Sequence, residues 1–181
     1  ALSLLDQDNY NVSLGYPLRR TPLFGFFNNL MEAIATMDGD RLYVPYYLEF
    51  ILHPYIKNIY FDGRAELTRV LFHTIEEALT EKKSKKFMSL SEIEKDETIM
   101  GFIQERILNM EPHVTLDRIG DHLKAIHSNT IRKMLSCRNV GDFAMKLKEV
   151  IEYIYERSTA RLHPFFHPYS ESFAVQLDLI S

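Results

Sequence analysis

The chain has 181 residues, 46% hydrophobic and 25% charged, with a formal net charge of −4. Those values fit one globular domain with a real core and exclude global disorder. The negative balance excludes an overall pull toward nucleic acid or anionic membrane, so either partner would need a local basic patch.

No apolar run approaches the ~20 residues of a membrane-spanning helix, and no span is expected. The opening ALSLLDQDNY lacks a basic stretch and meets Asp6 and Asp8 at once, so it does not read as a signal peptide. Cys137 is the single cysteine, which excludes an internal disulfide and points to a reducing compartment, cytoplasmic or nuclear. Asn11-Val12-Ser13 matches a glycosylation acceptor and, with no signal peptide, is expected to go unused. The start on Ala, the polar arm and the abrupt end favour a segment of a larger protein.

Residues 1–20, with Gly15 and Pro17, read as an irregular arm. Thr21-Pro22 is a helix start, Thr capping and Pro at the first helical position, and the helix runs to Asp38-Gly39-Asp40. Leu42 to Phe61 is crowded with aromatics, and its prolines place a helix from about residue 45 that breaks at His53-Pro54. Leu67, Val70, Leu71, Ile75, Ala78 and Leu79 make one helical stripe after Asp62-Gly63. Lys82, Lys83, Lys85 and Lys86 then suit a solvated loop. Ser89 with Glu92 forms a capping box that starts a helix through Ile107. Val140, Phe143, Leu147, Val150, Ile151 and Ile154 mark a further helix, after which RLHPFFHPYSES changes character. The closing SFAVQLDLI alternates like a strand or extended arm. The fold class is therefore all-α: a single bundle of about six or seven helices over residues 21–160, with an N-terminal arm (1–20) and an extended tail (161–181).

Between Val114 and Leu135 the pattern predicts two short helices. Thr115 caps the first, and His127-Ser128-Asn129 the second. The second would present Asn129, Thr130, Arg132 and Lys133 outward, side chains suited to base edges and phosphates. From Val114 to Val140, five basic residues face two acidic ones. The segment resembles the helix-turn-helix of AraC-type regulators, which implies major-groove DNA binding. Its turn reads Lys124-Ala125-Ile126, longer by one residue and without glycine, and the second unit of that family is absent.

The seven histidines are scattered without metal-ligand spacing and read as polar or capping residues. Neither a Gly-x-Ser-x-Gly elbow nor a glycine-rich phosphate loop occurs, and Cys137 in its basic loop has no base beside it in sequence. No catalytic, metal or cofactor residue is assigned, and an enzyme is not expected. Tyr43, Tyr46, Tyr47, Tyr55 and Tyr60 exceed what one helix buries easily, and tyrosine favours interfaces. The leading expectation is a non-enzymatic, regulatory interaction module that binds another protein or itself through those tyrosines. The alternatives are a DNA-binding regulator and a small-ligand sensor.

Overall fold

A computed structural model describes residues 17–81, 85–110, 112–163 and 166–179. The fold is all-α, with one two-stranded antiparallel ribbon among the described residues. Most of the N-terminal arm, Asn11 included, and Lys82 and Lys83 lie outside the described residues. Leu18–Arg20 forms a 3-10 turn.

Helix α1 (Pro22–Ala35) starts as its sequence dictates: Thr21 Oγ1 accepts the Phe24 N–H at 3.2 Å, and Pro22 needs no donor there. Gly39 adopts a φ of +63° in the turn that follows. Strand β1 (Arg41–Tyr43) pairs Leu42 with Met88 of β2 (Phe87–Ser89). Three residues each are too few to carry a period-two signal, so sequence alone does not reveal the ribbon. Helix α2 (Val44–Ile51) stops at Leu52, and His53 caps the single turn α3 (Pro54–Lys57), its Nδ1 accepting the Tyr55 N–H.

Helix α4 (Glu66–Glu81) buries Leu67, Leu71, Ile75, Ala78 and Leu79 and packs along α6 (Glu97–Met110). The capping box forms as expected at the start of α5 (Leu90–Lys95): Ser89 Oγ accepts the Glu92 N–H, and Glu92 accepts the Ser89 N–H. The continuous helix expected from Ser89 to Ile107 is instead split at Asp96. That residue has extended backbone, and its Oδ1 accepts the N–H groups of Thr98 and Ile99.

Two further expectations are corrected. Helix α7 (Leu116–Asn129) passes straight through Lys124-Ala125-Ile126, so no turn lies there. It meets α8 (Ile131–Leu135) at Thr130 alone, and the arrangement is a kinked helix pair rather than a helix-turn-helix. Lys, Ala and Ile are ordinary helix residues, with nothing to stop α7. The tail is likewise not extended: Phe166–Asp178 forms helix α10, which packs on α9 (Val140–Arg157) and stacks Phe173 on Phe27 of α1 at 4.6 Å. Tertiary packing outweighs the apparent alternation. Among the described residues no helix is long and apolar enough to cross a membrane.

Candidate functional site

Four elements bring one polar cluster together inside the bundle. Tyr47 comes from α2, Glu94 from α5, His127 from the last turn of α7 and Arg132 from α8. His127 shares the inner face of α7 with Ile119, Leu123 and Ile126, which is why its ring is wholly buried. Its Nδ1 lies 2.6 Å from Glu94 Oε1 and its Nε2 lies 3.0 Å from the Tyr47 hydroxyl. Arg132 grips the same carboxylate with two bonds, 2.7 Å to Oε1 and 2.9 Å to Oε2.

The charges sort themselves by environment. Burial raises the Glu94 carboxyl, but hydrogen bonds from His127 and Arg132 outweigh it and hold its pKa at about 2. Burial drives His127 below the ordinary imidazole range against the pull of Glu94. The ring is thus neutral beside an ionised carboxylate, which assigns its proton to Nδ1. Nε2 is then the acceptor of the Tyr47 O–H. Burial first, and the Glu94 charge second, push the Tyr47 phenol far above its ordinary pKa, so it stays a donor. The order hydroxyl, imidazole, carboxylate is that of a nucleophilic triad. Here, however, Tyr47 and His127 both have no solvent exposure, and Tyr47 is no nucleophile at neutral pH. Chemically the cluster is a lock on four helices.

A second polar knot ties α4 to α7. Thr68 Oγ1 meets His122 Nε2 at 2.8 Å, and Phe61 stands edge-on to the same ring. Arg118 lies over Phe61 and binds Asp62 with two bonds of 2.9 and 2.7 Å. Asp62 takes a positive φ of 48° there, in a turn completed by Gly63.

The residues singled out in the sequence fall as follows. Tyr47 and Tyr55 are core, while Tyr43, Tyr46 and Tyr60 are half-buried. Tyr43 packs on Tyr46 and Phe87, and Arg161 covers the Tyr60 ring. None of the five stands exposed. Asn129 donates to the Ala125 carbonyl, and buried Thr130 to that of Ile126. Arg132 is held by Glu94 and Lys133 by Glu149. Cys137 is half-buried, and burial raises its thiol rather than activating it. Among the described residues no three His, Cys, Asp or Glu side chains gather as a metal set. Glu94 carries no signal of its own in the sequence, and His127, expected to cap a second helix, lies inside α7 instead; the available signal was a histidine in step with Ile119, Leu123 and Ile126.

Open space lies elsewhere, in a groove of about 510 Å³ between α9 and α10. Ile151, Tyr155 and Ala174 form its apolar lining, and Glu152, Glu156 and Glu171 its acidic one. Lys148 also borders it and is paired with Asp178. Tyr155 is 40% exposed, although its ring also stacks on Phe166. Comparison of the chain with known protein families, curated proteins and solved structures finds no match to any of them.

Proposed function

We propose that the chain is a non-enzymatic helical module that binds another protein through the face formed by α9 and α10. The observation that carries this reading is a division of labour. The hydroxyl–imidazole–carboxylate chain is sealed inside, where no substrate reaches it, while the groove offers apolar and charged side chains to solvent. The tyrosines of residues 43–60, buried or half-buried, offer a partner less surface than Tyr155 and its neighbours. The DNA-reading alternative has less behind it, since Arg132 and Lys133 are engaged by carboxylates of their own chain. The sensor alternative also has less behind it, since the cavity of about 40 Å³ beside Phe61 and Val114 is far smaller than a small-molecule site needs.

The test places a photo-crosslinking amino acid at position 152 in the groove and, as a control, at exposed position 80 on α4, in the cells the protein comes from. A single defined adduct is expected from position 152, absent from position 80 and lost when Tyr155→Arg is added. No adduct from position 152, or equal labelling from both positions, would remove the reading.

A further inference from the structure

The geometry points to one occupant for the α9–α10 groove: a basic amphipathic helix from a separate protein. This deepens the interaction-module reading and rests on it.

Three features of the groove select that chemistry. Lys148, Ile151, Glu152 and Tyr155 lie at i, i+3, i+4 and i+7 along α9, so the groove follows the helix for about 10 Å. That length accepts side chains spaced at i, i+3 or i+4 and i+7 on one face of a docked helix. Its lining is apolar at Ile151, Tyr155 and Ala174. These positions want aliphatic anchors.

Charge then decides which amphipathic helix fits. Glu152 and Glu156 are exposed, one turn apart, and make no ion pair among the described residues. The lysine that borders the groove is already held by Asp178. A partner with Lys or Arg beside its apolar ridge meets the exposed carboxylates of Glu152 and Glu156, while an acidic helix, a phosphate or an anionic lipid surface is repelled. The contribution of those carboxylates falls with salt, because they are solvent-exposed.

The experiment uses the full chain and three fluorescent peptides: a Leu/Lys amphipathic helix, its Leu/Glu counterpart, and a Leu/Lys peptide of the same composition with the amphipathic order scrambled. Anisotropy titrations should show binding of the ordered Leu/Lys helix alone, weakening as salt rises. The double change Glu152→Lys/Glu156→Lys should weaken it about tenfold or more, equivalent to about 1.4 kcal/mol. Glu66→Lys on α4 should leave it unaltered, and circular dichroism confirms that each variant folds.

Equal binding of the Leu/Glu or scrambled peptide would overturn the inference, as would indifference to the double reversal. Dimerisation of the protein alone, abolished by the double reversal, would overturn it in favour of a second copy as occupant. A specific crosslink from position 152 without any preference for the basic helix would leave the interaction module standing and remove only this inference.

Discussion

Tyr47 and His127 lie 80 residues apart in the chain, yet a 3.0 Å hydrogen bond joins their polar atoms with both side chains wholly buried. Tyr55, seated close by in sequence, makes the opposite case: its hydroxyl is buried and has no hydrogen-bond partner among the described residues. Two tyrosines of one aromatic segment thus differ in what their oxygens do, and that difference is measurable.

Tyr47→Phe leaves His127 Nε2 buried without its donor, which should cost about 1–3 kcal/mol. Tyr55→Phe removes an oxygen that gains nothing, so it should be neutral or stabilising by up to about 1 kcal/mol. Urea unfolding with an unchanged slope reads both values. The reverse ranking would show that the hydrogen-bond assignments are wrong.

Glu94 is the hub of the lock, only 6% exposed and bonded to two donors' groups at once. Glu94→Gln removes the charge that Arg132 and the His127 ring both face. Breaking one side of a buried pair commonly costs about 3–5 kcal/mol. Arg132 is a third exposed and can regain water, so the loss should sit near the lower end. The double variant Glu94→Gln/Arg132→Gln should lose less than the sum of the two single changes, with a coupling of at least about 0.5 kcal/mol. Additive losses would mean that the two-bond contact contributes nothing.

Acid should destabilise the fold in two stages. Burial, opposed by the Asp62 charge, holds His122 at about 4, and burial together with Lys57 holds His53 at about 4 against an ordinary 6.5. The unfolded chain therefore binds more protons between those values, and stability rises with pH across that window. This contribution is complete above about 6.5 and is lost as pH falls toward 4. Glu94, depressed from 4.5 to about 2, adds stability that is complete above 4.5 and is lost below it. Unfolding measured from pH 7 to pH 3 should show a decline beginning above pH 5, and His122→Gln should flatten that upper part. A profile flat down to pH 4.5 would contradict the neutral state of these half-buried rings.

Much of the fold is legible in the sequence because its signals are local. Thr21-Pro22, the Ser89–Glu92 box and the His53-Pro54 break each act within four residues, and each appears where its chemistry places it. Leu71, Ile75, Leu147 and Ile151 are buried as their spacing requires, while Phe143 at the start of α9 is only half-buried. What is not legible depends on contacts across the chain. The β1–β2 ribbon joins residues more than forty positions apart, and α10 is held by Phe27 and by Lys148. Glu94 sits in a run of charges that reads as a solvated face. Only its meeting with His127 and Arg132, from other helices, sets it apart.

The kink at Thr130 turns the α7–α8 pair into a test of the DNA-binding alternative. A groove-reading helix needs free cations, each phosphate contact adding about 0.9 to the log–log dependence of affinity on salt. Arg132 and Lys133 instead bind Glu94 and Glu149, and α8 spans only Ile131–Leu135. Arg132→Ala should therefore lower the unfolding free energy, since it strips a buried carboxylate of its two-bond partner, and should leave any residual affinity for duplex DNA unchanged. Lys133→Ala should do little to either, because Glu149 is 45% exposed and regains water. A mobility-shift titration at near-physiological salt should show no sequence-dependent complex. A tight complex whose salt slope drops in both variants would return α8 to the groove and displace the α9–α10 face as the principal surface.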